Sequence, residues 1–448
     1  MSKIYKKNSF DRWTIPLYKR LIFYISLFFV FSLLLSFLLS VYFNNIILIL
    51  LIGSLITLAI LSVIKIYTMI LKIKAHNGYH FYSVKTEKQI IKSLVDTMSL
   101  NTIKTTNRIE VPDVRVKLKH NGSFARAITW LERLPNMDNV EILIKIVSNS
   151  FRGKYKNLAV VDYIESDDFL SYTFYLEDVN IDKTIVVSDI QDLVQDKAYK
   201  IKIQSDTIID FRKNPHFLIS GKTGSGKSTF LLSIILQIMY HINIDDEQST
   251  RLYIVDPKKE FSSFDFMVDY IYSEKDIILN KMVELVTILE EREKMVARKI
   301  SEIDKLGATA IDLGFNPIFI VVEEISAVVA SFDNKELKIW DNCLKQLLMK
   351  GRSTGIFVIG LLQYAGSTSI NIASRNQFSK ILLGSSSKED IQFMFGNNNE
   401  TVKNTVEPFK GYMLIDGTHN TPQKMYVADI RKVSEVSYFR KVFLKKVY

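Results

Sequence analysis

The sequence predicts an α/β protein: a parallel sheet with crossover helices, preceded by an N-terminal helical hairpin and a small β-rich or α+β domain. Three observations lead there. From residue 206 onward, short apolar strands alternate with longer stretches of helical spacing, the pattern of strands joined by helices that cover both faces of a sheet. The stretch HFLISGKTGSGKSTFLLSII, residues 216–235, breaks one such strand–helix pair with glycines, a lysine and hydroxyls. Residues 21–43 and 46–64 are two apolar runs without a charge.

Those runs come first in the chain. At 23 and 19 residues they would form helices of about 34 and 29 Å, enough for a hydrocarbon core of ~30 Å. Asn44 and Asn45 alone separate them, so they read as a tight transmembrane hairpin. A cleaved signal peptide fits poorly: the first run is too long, a second follows at once, and no small-residue cleavage site lies between. Lys3, Lys6, Lys7, Arg12, Lys19 and Arg20 flank one side against Asp11, and Lys65, Lys72 and Lys74 the other. Positive charge on both outer flanks places both termini in the cytoplasm of a multi-pass cell-membrane protein. Three domains are expected, 1–74 as the anchor, 75–205 as the small domain and 206–448 as the α/β domain, a division suited to 448 residues.

Composition narrows the partners. The formal net charge of +10 favours nucleic acid or anionic lipid, although much of the excess is spread along the chain as solvated lysine. The single cysteine, Cys343, excludes an internal disulfide and fits a reducing compartment. The six histidines show no metal-ligand spacing, so no zinc site is expected. In the small domain, 80–86 suggests a strand and 87–99 a helix. From Val111 the alternating runs VRVKLKH, VEILIKIVS, YTFYLE and TIVVS suggest a sheet. No catalytic constellation occurs there, which favours a structural or docking role.

The glycine-rich stretch carries chemistry. Gly221, Gly226, Lys227 and Ser228 satisfy G-x-x-x-x-G-K-[ST], with Gly224 as a further flexible point. Glycines let the backbone curl so that successive N–H groups face phosphate oxygens, and the following helix adds its positive end. Residues 221–229 (Gly221, Lys222, Thr223, Gly224, Ser225, Gly226, Lys227, Ser228 and Thr229) are therefore assigned to a nucleotide. Lys227 would reach the β- and γ-phosphates and the Ser228 hydroxyl would hold Mg²⁺. A glycine-rich turn with no ligand is the competing reading, and the correctly placed strand (216–220) and helix (229–240) argue against it.

Further along, residues 251–255 form a strand ending in Asp256-Pro257-Lys258-Lys259. A long charged helix covers about 273–305. IFIVV then ends in Glu323-Glu324, two carboxylates at the tip of a buried strand, where open α/β sheets place their ligands. Glu323 would hold Mg²⁺ or its water shell, and Glu324 would polarise the attacking water as a general base. A helix over 335–350 leads through Gly351-Arg352-Ser353-Thr354-Gly355 into a strand whose last residue is Gln363.

The ordered set GKTGSGKST, YIVDPKKEF, LEEREKM, IFIVVEEI, KGRSTGIFVIGLLQ, SKILLGSSSKED and KGYMLIDG resembles the FtsK/SpoIIIE family of DNA-pumping ATPases across about residues 205–430. Two positions depart from its usual pattern: Glu323 stands where Asp is common, and Leu362-Gln363 replaces threonine-glutamine. Within the family, two membrane spans, a modest middle domain and an end soon after GYMLIDG resemble the TcpA-like conjugative coupling proteins of Gram-positive plasmids and integrative elements. That resemblance implies a homo-hexameric, membrane-anchored translocase that carries relaxase-bound DNA, largely without sequence preference, to a transfer channel. It also implies roles for Arg352 and Gln363. Arg352 would either reach the γ-phosphate of a neighbouring subunit or cap a helix end; Gln363 would either sense the γ-phosphate or be a plain strand-end polar group. The competing functions are a protein-secretion ATPase of the type VII kind, a chromosome or plasmid DNA translocase in segregation, and a non-catalytic nucleotide-binding scaffold. Intact Lys227 and Glu324 argue against the scaffold.

Overall fold

The structure, a computed structural model, describes residues 3–5, 24, 27–32, 34–35, 44–75, 80–98, 102–103 and 108–444, apart from 122–123, 247, 305, 364–369, 398, 416 and 418. It divides into two compact units, Met1–Ile181 and Asp182–Tyr448.

In the first unit, a short strand β1 (Lys3–Tyr5) is followed by helix α1 (Asn44–Ala75), which contains the second apolar run. Most of the first run lies outside the described residues. Among the described residues, no helix is long and apolar enough to cross a membrane. Helix α2 (His80–Thr97) corrects the strand expected over 80–86. The reason is its buried face: Ser83, Glu87, Ile90 and Leu94 recur at helical, not alternating, spacing. Strands β2 (Thr102–Ile103) and β3 (Arg108–Glu110) form a small sheet with β1. The main sheet is antiparallel, ordered β4-β5-β7-β6, from β4 (Val114–Asn121), β5 (Phe124–Glu132), β6 (Leu158–Glu165) and β7 (Ser171–Asp178). Helix α3 (Val140–Asn149) lies between β5 and β6, capped by the Asn139 side chain, which accepts from the Ile142 N–H. The core joins one face of the sheet to both α2 and α3, and the buried Glu87 carboxylate accepts from the Val116 N–H at 3.1 Å. This unit is α+β.

In the second unit, β8 (Lys200–Gln204) and β9 (Thr207–Asp210) form a hairpin. The segment was expected to belong to the preceding domain up to residue 205. Its apolar residues Val187, Ile190, Leu193, Ile201 and Ile203 are instead buried in the same core as Phe217 and Phe230, which is why the division falls earlier. The central sheet then takes β10 (His216–Gly221), β11 (Arg251–Val255), β12 (Ile271–Tyr272), β13 (Ile318–Val322), β14 (Ile356–Leu362), β15 (Ser379–Leu383), β16 (Lys410–Leu414) and β17 (Gln423–Tyr426). Their order is β12-β11-β13-β14-β10-β15-β16-β17. The six strands from β12 to β15 are mutually parallel, as expected, but β16 and β17 add antiparallel neighbours at one edge. The segment joining β16 to β17 is too short to cross over, and an antiparallel pair needs no crossover.

Strands β10, β13 and β14 are buried along their whole length, and helices cover both faces of the sheet. On one face lies α4 (Lys227–Tyr240). On the other lie α5 (Lys275–Ile303) and, after the short α6 (Ile325–Ser331), α7 (Asn334–Thr354) and α8 (Lys388–Phe395). The final helix α9 (Val436–Phe443) returns to the α4 side. Helix α7 buries Trp340, Cys343, Leu344, Leu347 and Leu348, an i, i+3, i+4 stripe. It continues past the 350 expected, because Gly355 with φ +69° supplies the left-handed stop. His216 is fully buried: its Nδ1 accepts from the Val358 N–H and its Nε2 donates to the Leu348 carbonyl, each at 3.0 Å. Burial pushes its pKa down to about 3, so it is a neutral rivet between β10, β14 and α7.

Candidate nucleotide site

Parallel strands β13, β14 and β10 are neighbours, so their C-terminal ends bring three sequence-distant stretches to one edge. From β10 the chain curls through residues 222–226 into α4. Gly224 at φ +80° and Gly226 at φ +101° occupy the left-handed region that the curl requires. Gly221 has a different constraint, since a Cβ there would come within 2.6 Å of the Leu383 carbonyl oxygen on β15. Lys227 opens the helix and folds back, its Nζ donating to the Gly221 carbonyl at 2.5 Å. Burial lowers its pKa, and the negative charge of Glu324 works in the opposite direction.

The two carboxylates at the end of β13 differ. The Glu323 N–H continues the ladder to the Val255 carbonyl at 3.0 Å, and its side chain turns inward; Oε2 is buried with no hydrogen-bond partner. Burial, reinforced by the charge of Glu260, raises its pKa to about 7. Glu324, equally buried, is held at both oxygens. Oε2 lies 3.4 Å from Lys258 Nζ, and Oε1 accepts from the Gln363 N–H at 3.2 Å. Gln363 also reaches the loop, donating from Nε2 to Thr223 Oγ1 at 3.1 Å. One residue thus links the candidate base to the phosphate loop.

The cleft between these elements is lined by Lys222, Thr223, Gly224, Gly226, Lys227, Ser228 and Thr229 on one side. Lys258, Glu260, Glu323, Glu324 and Gln363 line the other, and Phe409 lies beside the loop. Gly221 and Ser225, assigned to the nucleotide with the rest of the loop, are not among the lining residues, and Ser225 is buried. Asp256 is fully buried and accepts from the N–H groups of Glu260 and Phe261, so it shapes the turn that presents Lys258 and Glu260. Ser228 and Glu323, a hydroxyl and an unpartnered carboxylate oxygen in one cleft, fit a hard cation such as Mg²⁺. Among the described residues, no group of three or more His, Cys, Asp or Glu side chains forms a metal site. Ser228 and Glu323 are the residues that would hold Mg²⁺.

Arg352 is elsewhere. It sits in the last turn of α7, before β14, with its Nε donating to the Arg212 carbonyl at 3.0 Å. The whole of β14, seven residues or roughly 23 Å, separates it from the Gln363 end. In its own subunit it does not line the cleft. Glu260 and Phe409 do line it, and the sequence reading missed both. Glu260 had the DPKKE turn as a signal. Phe409 had none, because tertiary contacts set its position.

A glycine loop between a central parallel strand and its helix, a lysine folded into that loop and two carboxylates on a nearby strand end define a P-loop ATPase domain. Residues 194–365 match the FtsK/SpoIIIE family. The Bacillus subtilis protein YdcQ, an FtsK domain-containing protein, is 32% identical over 209 residues, covering 45% of this chain and 41% of that protein. The DNA translocase FtsK of Campylobacter jejuni is 27% identical over 159 residues, covering 34% of this chain and 16% of that one. The chain thus spans less than half the length of these curated relatives. Among solved structures, the pCW3 conjugation coupling protein TcpA, in its monomer form with ATPgS, is similar with a TM-score of 0.50 at 15% identity. It covers 80% of this chain and 99% of that one, a likeness of fold.

Proposed function

We propose that the protein is an ATP-driven DNA translocase and serves as the membrane-anchored coupling protein of a conjugative transfer system. The observation that carries the first part is the cleft itself: Lys227 and the glycine loop line it together with Glu324, around a space that a triphosphate would fill. Lys227 offsets the charge on the β- and γ-phosphates. Glu324 takes the proton of the attacking water, and Gln363, bonded to both Glu324 and Thr223, keeps that base in register with the loop. Ser228 and Glu323 would hold Mg²⁺, which spreads the charge developing on the phosphates.

The conjugative role is supported by the likeness to TcpA, which extends beyond the FtsK-type domain. In this reading residues 21–43 and 46–64 span the cell membrane with both termini cytoplasmic. The ATPase units form a homo-hexamer, and a relaxase and channel proteins of a Gram-positive element are the partners. DNA is held through its phosphates by Lys and Arg. The test is ATP turnover by the full chain with and without DNA, paired with element transfer from a deletion strain. DNA-stimulated turnover and loss of transfer are expected. Turnover indifferent to DNA would refute the translocase reading, and undiminished transfer the coupling role.

A further inference from the structure

Phe409 has a left-handed backbone, φ +62°, which a bulky side chain rarely adopts and which persists only where surroundings enforce it. Its N–H donates to the Ser225 carbonyl at 3.0 Å, and its own carbonyl accepts from the Val427 N–H at 2.8 Å. A glycine would make both bonds without strain. The ring is not there for the core either, since the residue is 50% exposed. On one side it closes on Gly226, where a Cβ would come within 2.8 Å of its Cδ1. On the other it borders a second cavity of about 430 Å³.

That cavity is walled by Leu232, Pro408, Val427, Ala428 and Ile430, all apolar, and it shares Thr229 and Phe409 with the phosphate cleft. The charges at its rim are already engaged: Asp429 with Arg431 at 2.6 Å and Lys410 with Glu407 at 2.5 Å. It therefore suits a flat, weakly polar group, not a further phosphate. A triphosphate anchored at Lys227 has such a group at its other end.

Resting on the nucleotide reading above, we propose that this cavity receives the base and sugar of the nucleoside triphosphate, and that the Phe409 ring contacts them. Phe409 is then what makes the site prefer a nucleotide to a bare polyphosphate. The test uses calorimetric binding of ATP and of inorganic tripolyphosphate to the full chain, for the wild type, Phe409→Gly and Phe409→Trp. Glycine suits the left-handed backbone, so Phe409→Gly should unfold no more easily than the wild type. Base–aromatic contacts of the usual strength imply a roughly five- to hundredfold weaker Kd for ATP. Tripolyphosphate should bind Phe409→Gly as it binds the wild type, and Phe409→Trp should retain ATP. Unchanged ATP affinity in Phe409→Gly, or an equal loss for both ligands, would overturn the proposal, the latter by showing that Phe409 only braces the loop. Wild-type protein that bound neither ligand would overturn the nucleotide reading as well.

Discussion

Replacing Glu323 with glutamine should stabilise the nucleotide-free protein above neutral pH. The carboxyl is buried, its Oε2 has no partner, and Glu260 stands nearby, so the folded state favours the protonated form. Its pKa rises from an ordinary 4.5 to about 7. At 1.36 kcal/mol per pH unit, that difference corresponds to a destabilisation of about 3 kcal/mol once the group is ionised. The sign follows from linkage. Below pH 4.5 both folded and unfolded chains carry the proton and there is no penalty. Between 4.5 and about 7 the unfolded chain has released it while the folded chain retains it, and stability falls. Above 7 the loss levels off. Glutamine does not titrate, so the difference between the two proteins isolates this one group. Denaturant unfolding at pH 5 and pH 8 should give similar stabilities at pH 5 and a Glu323→Gln variant more stable by roughly 2–3 kcal/mol at pH 8. An equal difference at both pH values would refute the argument, since it would show that packing and not charge separates the variants.

Other expectations concern the proposed ATP chemistry and DNA binding. Lys227→Ala should abolish nucleotide binding or turnover, checked by titration with ATP. Glu324→Gln should bind ATP as the wild type does yet lose hydrolysis, because shape is kept and the base removed; wild-type turnover would remove Glu324 from that role. Arg352→Ala and Glu324→Gln subunits, each inactive alone, should recover part of the activity when mixed if Arg352 acts on a neighbour's γ-phosphate, an effect on the order of 10³–10⁵ in rate for such arginines. No recovery in confirmed mixed assemblies would restrict Arg352 to its helix-end contact with Arg212. DNA binding should weaken steeply with salt and depend little on sequence, which filter binding at two salt concentrations would show.

The parts of this site that were legible in the sequence are those fixed by local spacing. The loop glycines, Lys227, Ser228 and the Glu323-Glu324 pair follow from strand, turn and helix in direct succession, and the strand expected over 251–255 was found at those bounds. What was not legible depends on distant chain. The run HFYSVKT favours a strand locally, but burial against β4 made it the start of α2. Gly351 resembled a loop residue; it lies inside α7, and glycine is needed there because a Cβ would meet the Ile356 carbonyl oxygen at 2.2 Å and the His216 ring at 2.8 Å. The linking role of Gln363 needed the knowledge that Thr223 lies across from it. Phe409 needed both the P-loop and the end of β17 in place.

The burial of Cys343 has a practical consequence. The chain's single thiol sits on the inward face of α7, and burial pushes its pKa up, so the reactive thiolate is scarce and shielded. For maleimide chemistry, the native protein behaves as though it had no cysteine. A cysteine introduced at an exposed position in either compact unit would therefore take a fluorophore selectively, with the native residue left in its packed place. Pairs of such labels would allow energy-transfer measurements of chosen distances during a turnover cycle.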